Sequence, residues 1–258
     1  MELEILEATA DFCEKNGLKY LLAYGTLLGA IRHKGFIPWD DDIDIMMPRQ
    51  DYEKLLQLWQ DDDRYQVLEC RKNRDYPYQF AKVCMADTYM VEKDVTVSYD
   101  MGLYIDIFPC DEVPSDPRKT GAMVKHLARL EKMRMYSMSP QEKLLRGDSR
   151  WNLDRKLLFW ILKGVGPHKL SLKIDRIARR FQNGGNVYGG FLSTRYPRRE
   201  VQPLTNFGET VMLEFEGKQF RAPAAYDAVL RLLYGDYMEF PPEEERVLKH
   251  GFSLWKCK

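Results

Sequence analysis

Four carboxylates stand within five positions of one short segment: Asp40, Asp41, Asp42 and Asp44. Read as a strand, alternate side chains share a face. That groups Asp40, Asp42 and Asp44, turns Asp41 to the other side as a structural carboxylate, and sends Ile43 and Ile45 into a core. Carboxylates this close repel one another, so one stays protonated or a cation sits between them. A hard divalent ion such as Mg²⁺, or Mn²⁺ in its place, takes oxygen ligands of this kind and leaves positions open for phosphate oxygens. The plainer reading is a solvated acidic turn or a set of helix caps. The flanks (Phe36, Ile37 and Trp39 before, Met46 after) weigh against it by placing the segment in the interior, where unpaired carboxylates are costly.

Three metal chemistries compete. Counting Asp40 as position 1 of a calcium-binding EF-hand loop puts Ile45 where glycine must turn the chain and Asp51 where glutamate must close it, and that reading fails. A glycosyltransferase D-x-D motif normally follows a complete nucleotide-binding unit, and 39 residues leave little room for one, which counts against it without excluding it. The third arrangement is Gly25-Thr26 after an apolar run, Asp42 and Asp44 17 and 19 positions later, and a separate Asp106 inside the strand-like Ile105-Asp106-Ile107. This is the order found in the nucleotidyltransferase superfamily. The glycine lets the backbone approach a phosphate, and a hydroxyl at a helix N-terminus can bind its oxygens.

Other residues extend the candidate site. Arg32 ends the helix that starts at the glycine and can reach phosphates, or it can serve as a C-terminal cation. Lys82, in the apolar stretch YQFAKV, is either a phosphate ligand or half of a buried ion pair. His250 is a candidate general base, although a lone histidine is more often a packed residue. Tyr24, Trp39 and Tyr104 can stack on a base or enclose an ammonium group, or belong to the core.

The elements that must position these groups follow from the pattern. A helix is expected over 3–16, a buried strand over 18–24, a second helix over 27–33 and a third from Pro48 to about Trp59. Strands are expected at 65–70, 78–85, 89–95 and 102–108, before Pro109, Pro114 and Pro117 interrupt the pattern. A basic helical stretch then runs from about 118 to 181. A glycine-rich joint at 183–190 returns the chain to strands at 210–215 and 218–221 around a Glu216-Gly217 turn, and a last helix covers 224–234. The division is a core over 1–117, a basic helical insert over 118–185, and a C-terminal region over 186–258 packing back on the core. The fold class is α+β, a mixed core sheet with flanking helices.

Composition limits the setting. The 258 residues are 45% apolar and 30% charged, as in a globular protein. The longest apolar run, from Leu157 to Leu162, is too short to span a bilayer, and the acidic start MELEILEATADF does not read as a secretory signal. A cytoplasmic protein is expected. Five scattered cysteines suggest reduced thiols rather than a disulfide framework or zinc site. The formal charge is zero, yet residues 118–180 hold 17 Lys and Arg against 5 Asp and Glu. This block either solvates ordinary helices or meets something anionic. It carries no nucleic-acid recognition motif, and no nucleic-acid partner is expected. Within it, WNLDRKLLFWILKGVG (151–166) mixes cations with Trp, Phe and Leu. It suits either a helix lying on the inner face of a membrane or an ordinary amphipathic helix.

The stretch LLAYGTLLGAIRHKGFIPWDDDIDIMMPRQDYEKL (21–55) closely resembles the LicD family, phosphocholine transferases of bacterial surface glycans related to the fukutin-type transferases of animals. YIDIFPCDEVP (104–114) resembles the second motif of the family, and YDAVLRLLYGDYMEFPPEEER with His250 resembles its C-terminal pattern. The resemblance implies a nucleotidyltransferase-like fold. It also implies Mg²⁺-dependent transfer of a phospho-alcohol, most often phosphocholine, from a CDP-activated donor such as CDP-choline to a sugar hydroxyl of a glycan or lipid-linked glycan, with release of CMP. By position, Asp42, Asp44 and Asp106 would bind the metal, and Gly25 and Thr26 would meet the donor phosphates. Choline, ethanolamine, glycerol and ribitol phosphates would all use such a site. The alternatives are a nucleotidyltransferase that passes on the nucleotide itself and a non-catalytic glycan- or membrane-binding protein.

Overall fold

The computed structural model describes residues 1–92, 99–139, 160–182, 184–194, 197–247 and 251–256. The first helix, α1 (Glu2–Lys15), buries Ile5, Leu6 and Cys13, which recur at helical spacing, and Gly17 follows its end. Strand β1 (Leu21–Leu22) is shorter than the expected 18–24, and α2 (Tyr24–Arg32) begins three residues early. Then come β2 (Asp44–Pro48), α3 (Arg49–Leu58), β3 (Tyr65–Leu68), β4 (Ala81–Met85), β5 (Thr88–Glu92) and β6 (Tyr104–Glu112).

The strand model of the acidic segment needs correction. The chain turns at 37–40, where the Asp40 amide donates to the Ile37 carbonyl, and pairing starts only at Asp44. Asp40, Asp41 and Asp42 therefore lie on a loop that leads into β2, and strand alternation does not group them.

The main sheet runs β1-β2-β6-β4-β3. Only the β2–β6 pair in this series is parallel. Register and the two-residue period separate its faces. Ile45, Ile107 and Ala81 form one fully buried row. Asp44, Asp106 and Lys82 form the next row, on the opposite face. Helix α1 packs on β6 and β4, and α3 on β6 and β2.

The basic stretch contributes α4 (Pro117–Met138), a helical piece at 160–165, and α5 (Pro167–Ala178). Asp116 caps α4 through the Arg118 amide, and Pro117 opens it. Helices α4 and α5 pack together around Leu127, Leu130, Leu170 and Ile174. Most of 151–166 lies outside the described residues. Among those described there, Trp160 and Ile161 are exposed and Leu162 is buried. No described helix is long and apolar enough to cross a membrane.

Beyond the joint, β7 (Tyr188–Gly190) extends the sheet from the end of β6, and β8 (Gln202–Pro203) pairs with β7. Strands β9 (Thr210–Phe215) and β10 (Lys218–Pro223) form the expected hairpin. Glu216 and Gly217 both have positive φ at its two-residue turn. The hairpin tip holds the loop after α2: the Phe36 amide donates to Glu216 Oε1, and the Glu216 amide donates to the Lys34 carbonyl. Helix α6 (Tyr226–Tyr234) follows, and β11 (Phe252–Lys256) pairs with β5. The four cysteines in the described residues, Cys13, Cys70, Cys84 and Cys110, are free and buried.

One buried ion network ties these parts together. Arg49 donates to both oxygens of Asp111 at 2.7 Å, to Asp175 of α5 at 3.0 Å and to Glu53 at 3.1 Å. Burial alone would push the Asp111 carboxyl up, and the Arg49 charge pulls it back. We predict that Arg49→Leu destabilises the protein by about 3–5 kcal/mol, because Asp111 and Asp175 are left buried without their guanidinium. Urea denaturation measures this, and a loss below about 1 kcal/mol would show that the network contributes little.

Candidate active site

The turn from β1 into α2 is fastened to the start of β2 by two bonds. The Ala23 amide donates to the Asp44 carbonyl at 3.0 Å, and the Asp44 amide donates to Thr26 Oγ1 at 2.8 Å. Tyr24, which opens α2, takes a left-handed φ of 45°, and its hydroxyl donates to Glu200 Oε2 at 2.9 Å. Glu200 is a site neighbour that the sequence did not indicate. Burial raises its pKa to about 7, against the Tyr24 hydrogen bond, which lowers it. Gly25 lies so close to Asp40 that a Cβ there would overlap Asp40 Oδ2. A carboxylate thus rests on the first turn of α2, where the helix dipole favours negative charge.

Asp44 and Asp106 are direct register partners on the parallel pair. Burial raises the Asp44 pKa well above the usual carboxylate range, and Asp42, Asp106 and Asp40 add to the rise, while Lys82 opposes it. Lys82 is buried and donates to Asp106 at 2.5 Å. Its ammonium lies 3.2 Å from the Tyr104 ring centroid, with Tyr78 and Phe80 at 5.0 and 5.4 Å. Of the two readings open for Lys82, the structure shows the buried ion pair, and Tyr104 is the aromatic face beneath it.

A cleft of about 650 Å³ opens beside Asp44, and neither Asp106 nor Lys82 lines it. Gly25, Asp40, Asp42 and Asp44 line it, together with Tyr234 at the end of α6 and Asp236, Glu239, Phe240 and Glu245 from the chain that follows. Arg32 and Trp39 also line it. Arg32 donates to the Tyr237 and Glu239 carbonyls at 3.1 and 3.4 Å, bracing the chain after α6. Thr26 is buried and does not line the cleft, and its hydroxyl holds the Asp44 backbone in place. His250 lies outside the described residues. The wall after α6 could be found in the sequence only as the unusual run YGDYMEFPPEEER, rich in aromatics, prolines and acids.

The donor set suits a hard divalent ion. The acidic side is all oxygen, and the mutual repulsion around Asp44 is offset by one lysine, which is already paired. No described group of three His, Cys, Asp or Glu side chains forms a ready cage. Mg²⁺ does not require one, since it is held by one or two carboxylates together with substrate phosphates and water.

Residues 17–144 match the family model for the LicD/FKTN/FKRP nucleotidyltransferase domain. Over 257 residues the chain is 32% identical to the lipopolysaccharide cholinephosphotransferase LicD of Haemophilus influenzae, covering 96% of this chain and 92% of that protein. The chain belongs to the LicD family. It is thereby an enzyme of the transferase class. An uncharacterized protein of Rickettsia prowazekii is 28% identical over 171 residues, 66% of this chain and 59% of its own length. The family match spans the β1–α2 turn, the acidic loop, β2, β6 and α4. The chain after α6 lies beyond it, within the long alignment to the Haemophilus protein.

Thr26 offers a direct check on how this LicD-family site is built. Thr26→Val keeps the shape but leaves the buried Asp44 amide without its acceptor, and the expected cost is about 1–3 kcal/mol. Thr26→Ser should restore most of it. Equal stability of the Val and Ser variants in chemical denaturation would show that the bond does not hold the turn.

Proposed function

We propose that this enzyme transfers a phospho-alcohol, with phosphocholine as the first choice, from a CDP-activated donor to a sugar hydroxyl of a cell-surface glycan or its precursor, releasing CMP. The observation that carries the reading is that Asp42 and Asp44 line a cleft, with Asp106 the register partner of Asp44, in a chain that aligns almost end to end with a cholinephosphotransferase. The acceptor is anionic or membrane-attached in this reading. Support comes from the exposed Trp160 and Ile161 and from the outward Lys125, Arg129, Lys169 and Lys173 of α4 and α5.

In the reaction, the acceptor oxygen attacks the phosphorus that carries the alcohol. The bond from that phosphorus to CMP breaks, CMP leaves with the electron pair, and the hydroxyl proton passes to a base or to water. Asp42, Asp44 and Asp106 would hold Mg²⁺, which neutralises charge on the donor phosphates and on the leaving group. Gly25 lines the cleft at the first turn of α2, where the Asp40 carboxylate packs against it, and Arg32 lines the same cleft while its guanidinium braces the Tyr237 and Glu239 carbonyls. Lys82 offsets the charge of Asp106 and keeps its carboxylate fixed beside Asp44.

A nucleotidyltransferase that hands over the nucleotide is the second reading, favoured by the description of the matching domain. The product decides between them: free CMP supports the first reading, and a cytidylylated acceptor supports the second.

Incubation with CDP-choline should release CMP only when Mg²⁺ or Mn²⁺ is present, faster with glycan acceptor. The Asp42→Ala/Asp44→Ala double variant should lose about a thousandfold or more in rate, the several kcal/mol that metal-held charge stabilisation supplies. No CMP from CDP-choline, CDP-ribitol or CDP-glycerol, with acceptor present, would overturn the phosphotransfer reading.

A further inference from the structure

Behind the β1–α2 turn lies a small cavity of about 20 Å³. Leu21, Leu27, Met46, Phe207, Val229 and Leu233 line it with apolar side chains, and Glu200 stands among them. Glu200 ends the short helical turn Pro197–Glu200 and is buried. Among the described residues no cation pairs with it, and the hydrogen bond its carboxylate receives comes from the Tyr24 hydroxyl at 2.9 Å. A buried carboxylate without a cation is costly, so packing alone would favour an apolar side chain at this position.

What this carboxylate holds is an unusual stretch of backbone. Tyr24 has a left-handed φ of 45°, which a bulky residue keeps only where its surroundings impose it. Two contacts do so here. The hydroxyl is fixed by Glu200, and the ring stands edge-on against Phe108 at 89° with centroids 5.3 Å apart. Burial, then Glu200, Asp44 and Tyr234, hold the Tyr24 pKa well above the usual phenol range, so the hydroxyl stays a donor. Tyr24 lines both the cavity and the cleft. Its chain neighbours are both tied to the acidic segment. The Ala23 amide donates to the Asp44 carbonyl, and the Asp40 carboxylate packs on Gly25. A change of backbone at Tyr24 would therefore shift Gly25 and Asp40 relative to Asp44.

We infer that Glu200 is a positioning residue for the transfer: by receiving the Tyr24 hydroxyl it keeps the left-handed start of α2, and with it the place of Gly25 and Asp40 beside Asp44. It acts through Tyr24 and touches no reacting atom. The family match ends at residue 144, so the chain supplies this support from outside the matched domain. A misplacement of about 1 Å at a reacting centre can cost about a hundredfold in rate, which makes such a support consequential. This inference rests on the phosphotransfer reading above.

The test measures CMP release from CDP-choline with Mg²⁺ for Tyr24→Phe, Glu200→Leu, Glu200→Gln and the double variant Tyr24→Phe/Glu200→Leu. In Tyr24→Phe and Glu200→Leu, kcat should fall about tenfold to a hundredfold. The double variant should lose no more than either single change, because all three break one bond. Glu200→Gln keeps an acceptor oxygen and should retain at least about a third of the wild-type kcat. Replacing both partners by apolar groups is nearly neutral for stability, so the double variant should unfold in urea at the wild-type midpoint while its turnover is lost. A double variant that keeps wild-type kcat, that loses kcat only in step with a lowered midpoint, or whose two losses multiply would overturn the positioning role and leave phosphotransfer standing. If wild type releases CMP from no donor, phosphotransfer itself falls. Hydrogen exchange at the Ala23 and Leu27 amides, which bond the Asp44 and Ala23 carbonyls, then decides the positioning role. Exchange faster by about tenfold or more in Tyr24→Phe and Glu200→Leu but not in Glu200→Gln supports it, and exchange at the wild-type rate in all three overturns it.

Discussion

Everything at this site depends on one register. Parallel pairing of β2 and β6 sets Asp44 opposite Asp106, and antiparallel pairing of β4 sets Lys82 on the other side of Asp106. Two carboxylates directly opposite each other weaken a sheet, and burial strengthens their repulsion. Lys82 offsets one of them through a short buried bond, and the aromatic faces of Tyr104, Tyr78 and Phe80 surround its charge. Asp42 and Asp40 add their repulsion to that of Asp106 and raise the Asp44 pKa further. In the proposed reaction, this crowding of carboxylates is what a divalent cation would relieve.

Such a row survives only if the strands cannot slip. A shift of one residue would carry Asp44 and Lys82 into the apolar layer beside Ile45 and Ala81. Two buried clusters guard against this. Arg49 joins the start of α3 to Asp111 near the end of β6 and to Asp175 of α5. Farther along, Arg134 of α4 and Ser171 of α5 both donate to the Pro77 carbonyl, just before β4. Helices from the basic stretch thus fix the ends of the strands that carry Asp106 and Lys82. Its outward lysines and arginines remain available, but Arg134 is spent inside the fold.

The sequence made the chemistry legible where local pattern carries it. Alternation in Ile105-Asp106-Ile107 marks a strand with one polar face, and glycine before a helix marks a close approach, here by Asp40. What failed was inference across distance. The carboxylates from Asp40 to Asp42 look like strand residues until the turn at Ile37–Asp40 is seen to delay pairing to Asp44. The hydroxyl of Thr26 serves a backbone amide 18 residues away, and Lys82 finds its carboxylate 24 residues away. Neither partner can be chosen from spacing, because sheet order decides it. The wall after α6 was hidden for the same reason, since about 200 residues separate Asp40 from Phe240.

The two sides of the cleft are held by different kinds of force, and this separates what they can do. The carboxylate side is set into a paired sheet with buried ion networks, each costly to break from one side. The opposite side rests on backbone bonds from Arg32 and on guanidinium–ring contacts, each worth about 0.5–1 kcal/mol where exposed. A reaction that needs fixed charge around phosphates belongs on the first side. On the second side, side chains can change without moving the sheet. This is why the carboxylate side could be read from short motifs, while the other side emerged only when the far end of the chain was placed beside it.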